Sequence, residues 1–140
     1  MASGIKCHPS CVVAFNDLKM NKRHRYILFH IHEKEEIRIL RQADRDATYS
    51  DFLNDLMEAM KSGEGRYAVY DYEYPNKGTA LFFIVWTPTS SNIKTKMIYA
   101  ASRDAIKSQL QGIKHCLEAH DLDDICEEQL SRKGQPIQSC

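Results

Sequence analysis

The chain has 140 residues, enough for one domain around a single core, and its 19 basic and 19 acidic side chains balance. A formal net charge of zero argues against a general nucleic-acid binder, which relies on a basic excess, but leaves room for a local basic patch. No apolar run approaches the roughly 20 residues of a membrane span, and no secretory apolar region follows Met1, so a cytosolic protein is expected.

In chain order, residues 1–6 are expected to be a mobile start. A helix is expected over 10–20, where Val12, Phe15 and Leu18 recur at three-residue steps and Val13 widens the stripe. Residues 21–25 form a basic connector. Alternation over 26–32 predicts a strand with Tyr26, Leu28, His30 and His32 on one face and Ile27, Phe29 and Ile31 on the other. Glu33, Lys34 and Glu35 turn the chain into a second strand over 36–41, and a polar loop follows over 43–47. Thr48, with Asp51 three residues on, has the form of a capping box. It opens a helix carrying Phe52, Leu53, Leu56, Met57 and Met60, which Gly63 ends. An aromatic strand is expected over 66–74, then turn chemistry over 75–78. The nearly continuous apolar run over 80–87 predicts an interior strand covered on both faces.

Ser90, Ser91 and Asn92 each suit the start of a helix and Gly112 suits its stop, so 90–112 is expected to be the longest helix. Lys96, Arg103 and Lys107, spaced by seven and four, fall on one line, with the small Ala100 close by. Ile98, Ala101, Ala105 and Ile106 fall on the opposite arc. The helix thus has a buried side and a basic ridge where a partner surface can come close. A last strand over 113–119 precedes a final helix, capped by Asp121 and running to about 132 or 133. Gly134 ends it, and 134–140 is expected to be a frayed tail. The order of elements predicts an α/β (α+β) sandwich over 1–140. Its mixed central sheet has about five strands, with helices on both faces.

The five cysteines, at 7, 11, 116, 126 and 140, are odd in number and irregular in spacing, and are expected to be reduced thiols. A zinc site from Cys7, His8 and Cys11, joined by His115 and Cys116, would lack a paired C-x-x-C and is not expected. His30 and His32 alone complete no site. No nucleophile elbow, phosphate loop, H-E-x-x-H or dinucleotide glycine pattern is present. Asp121, Asp123 and Asp124 lack calcium-loop spacing. Neither catalysis nor a cofactor is expected.

Residues 94–106 read KTKMIYAASRDAI. This stretch closely resembles the long-helix signature of the actin-depolymerising factor/cofilin family, approximately K-x-K-M-x-Y-A-[SA]-[ST]-[KR]-[DE]-x-[IL]. The resemblance extends from Ser3 to about Arg132. It implies the actin-depolymerising-factor homology fold and a protein that binds actin monomers, preferring ADP-actin, and promotes filament disassembly. The monomer contact it implies is Ser3, Gly4 and Ile5 with Lys94, Lys96, Met97, Arg103 and Lys107. Ser3 matches the family's regulatory phosphorylation site. The filament contact it implies is a basic hairpin loop and the last helix. Here the loop, over 74–79, is short and keeps one lysine, Lys77; the helix offers Glu127, Glu128, Arg132 and Lys133. A short loop predicts weak severing. Phosphoinositides are ligands of the family that compete for the same cations, but 104–110 holds one lysine, Lys107, where many relatives have several. The expected location is the cytoplasm and cytoskeleton, with the nucleus a second compartment, and a monomer is the default. The alternatives are a coactosin-like or glia-maturation-factor-like binder of filaments or branch machinery, and a Cys/His metal or thiol protein. The wording of the long helix favours the first reading.

Overall fold

The computed structural model describes residues 4–74 and 78–132. Its elements are β1 (Lys6–Cys7), α1 (Pro9–Asn21), β2 (His24–His32), β3 (Glu36–Asp44), α2 (Tyr49–Lys61), β4 (Arg66–Tyr74), β5 (Gly78–Trp86), α3 (Ile93–Lys107), β6 (His115–Ala119), a 3-10 turn (Leu122–Ile125) and α4 (Glu127–Arg132). The strands form one sheet in the order β1-β3-β2-β4-β5-β6. β1 runs parallel to β3 and β6 parallel to β5, and the remaining pairs are antiparallel. The mixed sheet covered on both faces is as expected, with a sixth strand: two residues of β1 are too few to leave a pattern in sequence.

Period-two alternation sorts the strands onto two cores. Ile27, Phe29, Tyr67, Val69, Phe83 and Val85 meet Phe15 and Leu18 of α1 and Tyr99 and Ile106 of α3. Tyr26, Leu28, Ala68, Tyr70, Phe82 and Trp86 meet Phe52 and Leu56 of α2, Ile125, and Leu130 of α4. Each large apolar side chain so buried contributes about 1.5–3 kcal/mol before entropy is counted. Polar tips stay satisfied: Trp86 donates to the Leu56 carbonyl at 3.0 Å, and Tyr49 donates to the Ile125 carbonyl. The Thr48–Asp51 capping box opens α2 as expected.

Several expectations need correction. Residues 1–6 are not uniformly a loose start, because Ile5 is buried in the core and Lys6 pairs with Glu36. In α1 the buried stripe is Cys11, Ala14, Phe15 and Leu18, while Val13 is exposed; the cap is His8, so the helix starts at Pro9, one residue before the expected start. β3 runs on to Asp44, into the first two residues of the supposed polar loop, because β2 begins at His24 opposite it. α3 stops at Lys107 and not near Gly112. Its last turn tightens (Gln109 N to Ile106 O, 2.9 Å; Leu110 N to Lys107 O, 3.1 Å), which swings Leu110 into the core. The final helix is split at the extended Cys126. Ile125 and Leu130 are both buried, yet five helical steps would point them about 140° apart, so one continuous helix cannot serve both. Cys116 is disulfide-bonded and so not a reduced thiol; irregular cysteine spacing gave no sign of it.

Among the described residues no helix is long and apolar enough to cross a membrane, and no three His, Cys, Asp or Glu side chains are grouped to hold a metal ion. His8 instead caps α1, its Nδ1 accepting from the Ser10 amide at 3.1 Å, and His115 packs on the Phe82 ring at 4.8 Å.

Candidate functional site

Tyr99 fixes α3 to the sheet. Its ring lies 5.0 Å from Tyr67, its hydroxyl accepts from the Ile31 amide at 3.1 Å, and its carbonyl accepts from the Tyr67 hydroxyl. Burial pushes both phenols above the usual tyrosine value, so they stay protonated. Close approach at Gly65 completes the seat: a Cβ there would meet the Tyr99 ring at 2.8 Å. Gly65→Ala is therefore expected to displace the ring and cost about 1–3 kcal/mol in urea unfolding, as overpacking does. An unchanged midpoint would mean that the ring yields freely.

With Tyr99, Ser102 and Ile106 buried, the opposite side of α3 faces out. Its crest carries Ile93 and Met97, 72% and 66% exposed, followed by Ala100, Ala101 and Asp104. Ile93 and Met97 are one helical turn apart, with Cβ atoms about 6 Å from each other. Lys94 is fully on this face. Lys96, Arg103 and Lys107 are partly buried on its flank, so the cationic line borders the crest and does not form it. Ala101 was expected to be buried and is exposed. The inner arc expected from Ile98, Ala101, Ala105 and Ile106 left out Tyr99 and Ser102, which are buried. Ile93, missed in sequence because it opens the helix, was legible as the residue four before Met97. The Lys96 ammonium lies 3.5 Å from the Thr89 carbonyl, and Arg103 sits 3.5 Å from the exposed Asp104.

β1 lies against α3 and so brings the N-terminal segment to this side. Gly4 is exposed, in the left-handed region at φ 79°. Ile5 is 7% exposed and anchors the segment in the core, so it is not an outward contact. Ser3 lies outside the described residues. Beside Lys94 opens a cleft of about 600 Å³ between the β2–β3 turn, the α2–β4 loop and the first turn of α3. Lys34, Arg66 and His30 line it. Burial, then Arg66 and His32, hold the His30 imidazole below the usual histidine value.

The second expected surface is brought together by tyrosines. The Tyr74 hydroxyl donates to the Leu130 carbonyl at 3.1 Å, and Tyr72 to Glu127 at 3.0 Å, docking α4 against the end of β4. Glu128 and Arg132 are exposed, whereas Glu127, although exposed, is already tied to Tyr72. Lys77 and Lys133 lie outside the described residues.

A family model described as cofilin/tropomyosin-type actin-binding protein matches residues 4–135. The chain belongs to this family. It is 38% identical to a cofilin of Gibberella zeae over 138 positions, covering 88% of each chain. It is 36% identical to actophorin of Acanthamoeba castellanii over 137, covering 95% of this chain and 96% of that one. The crystal structure of Streptomyces griseoflavus cofilin superposes with a TM-score of 0.86 at 35% identity, covering 94% and 98% of the two chains. The cofilin-type fold expected from residues 94–106 is thus the fold observed.

Proposed function

We propose that this cofilin-family chain binds monomeric actin through the outer face of α3 and promotes filament disassembly, acting by binding and not by catalysis. The observation that carries the reading is the exposed apolar pair Ile93 and Met97, bordered by Lys94, Lys96, Arg103 and Lys107. A small apolar centre with a charged rim has the anatomy of a protein interface. The cations steer an acidic partner surface, and the pair supplies the desolvated contact. Relatives named actin-depolymerizing factor in Zea mays and Arabidopsis thaliana, 33% and 34% identical, support the activity assigned. A preference for ADP-actin follows from the family resemblance, as does the place of the N-terminus in the contact.

The test is filament co-sedimentation alongside a monomer-binding assay. Actin moving to the supernatant with little of the protein in the pellet supports a turnover factor with a weak filament site. No binding to either form would overturn the reading. Two substitutions divide the surface. Ser3→Asp puts a negative charge at the N-terminal contact and is expected to weaken monomer binding by about 1 kcal/mol; full affinity would disconnect the N-terminus from the site. Lys77→Ala is expected to lower filament binding and leave monomer affinity unchanged, and a monomer defect would mean that the two surfaces are not separate.

A further inference from the structure

Cys7 and Cys11 take no part in the surfaces above, yet the fold brings them together. Cys7 ends β1, with its Cα paired to Ile37 of β3. Cys11 sits in the first turn of α1, fully buried, its Sγ 3.5 Å from the Ile37 carbonyl oxygen. Strand and helix therefore converge on one backbone unit, because extended His8 and Pro9 at the first helical position fold the chain back there. The two cysteines adjoin each other, and the Cys7 thiol faces the His8 carbonyl oxygen at 3.7 Å. Cys7 is half-buried and Cys11 is closed off behind it. Cys7 is thus the more accessible of the two, and Cys11 lies on the core side.

We propose that Cys7 and Cys11 are a peroxide-reactive thiol pair, in which Cys7 is oxidised first and Cys11 resolves it to an intramolecular disulfide. The acidities run in the required sense. The neighbouring Cys11 thiol holds the Cys7 thiol below the usual cysteine value, against the opposing effects of burial and the Glu36 carboxylate. The neighbouring Cys7, then burial, pushes Cys11 up, so of the two it is Cys7 that ionises first. The Cys7 thiolate attacks one oxygen of a hydroperoxide; the O–O bond breaks and the alcohol or water leaves after taking a proton. Cys7 is now a sulfenic acid. The Cys11 sulfur attacks it, the S–OH bond breaks, and hydroxide leaves as water with the Cys11 proton. Overall two thiols and one hydroperoxide give a disulfide, an alcohol or water, and one water. The disulfide would tie the segment carrying Gly4 and Ile5 to α1. The inference does not depend on actin binding.

The test treats the full chain with one equivalent of hydrogen peroxide, then alkylates and digests it with trypsin. Lys6 and Lys19 bound a peptide, 7–19, that holds both cysteines and no other cleavage site. The expected result is a 7–19 peptide lighter by two hydrogens and closed to alkylation, with Cys126 still alkylated. Cys7→Ser is expected to slow peroxide consumption at least about tenfold. Cys11→Ser is expected to remove the resolving step, so that a sulfenic acid accumulates on Cys7 and a dione probe captures it; Cys11→Ala serves if the serine is not tolerated in the core. A 7–19 peptide that stays open to alkylation, or a Cys126→Ser variant slowed as much as Cys7→Ser, would overturn the proposal.

Discussion

Changing Lys96 and Arg103 together to glutamate is expected to weaken binding to monomeric actin by at least about 2 kcal/mol, or about thirtyfold. Both cations flank the exposed Ile93–Met97 crest, and neither is committed to a buried carboxylate: Lys96 reaches only the Thr89 carbonyl, and Arg103 only the exposed Asp104. Their charge is therefore available to a partner. Reversal replaces an attractive pair of charges by two that repel the same acidic surface, so the loss exceeds that of truncation. Arg103 is the less clean position, because a glutamate there stands next to Asp104 and near the Tyr67 phenol. Lys96→Glu alone separates binding from folding and is expected to cost about half as much. Affinity is read by titration of labelled monomer, and the fold by thermal melting. Unchanged affinity in a folded double variant would make the flank an ordinary solvated helix face.

What was legible in the sequence was whatever repeats within one element. Alternation along β2, the apolar run of β5 and the capping box at Thr48 each encode a local choice that the tertiary structure keeps. The wording of α3 was legible in the same way. Its orientation was not, because the inner face is set by Tyr99 and Ser102, one with a polar tip and one small and polar, whose burial depends on partners from β2 and β4. The same holds at Ile5, which looked like a terminal contact and is a core residue through a two-residue strand. The break at Cys126 answers to where Ile125 and Leu130 must point, a demand that comes from the sheet and not from the helix itself. Residues 21–25 were expected only as a basic connector, yet Lys22 and Arg25 both reach groups on β4, 49 and 46 residues away.

That last arrangement carries the largest expected change in stability. Asp71 lies on interior strand β4 with no exposure, its carboxylate accepting from Arg45 at 2.8 Å and from Lys22 at 3.2 Å. Arg25 donates to the Asp71 carbonyl at 3.0 Å and pairs with Glu73 at 2.7 Å; Arg45 also reaches the His24 carbonyl at 3.0 Å. The residues just past α1 and β3 and the start of β2 are thus tied at one residue of β4, Asp71. Asp71→Ala removes the fully buried charge of the cluster, leaving Lys22 without its carboxylate and Arg45 with that of Glu73 alone, at 3.3 Å. Breaking a buried pair from one side costs about 3–5 kcal/mol. Lys22 and Arg45 keep 48% and 28% of their side-chain exposure and can regain water, which discounts the loss to about 2–3 kcal/mol. Asp71→Asn keeps an acceptor for Arg45 and is expected to cost less. Lys61, whose pair with Glu58 is exposed on both sides, is the contrast: Lys61→Ala is expected to be near neutral. Urea midpoints at constant slope measure all three. Added salt is expected to leave the ranking unchanged, since screening acts on exposed charges and little on a buried carboxylate. If Asp71→Ala unfolds at the same urea concentration as Lys61→Ala, the cluster is a consequence of the fold and does not hold it together.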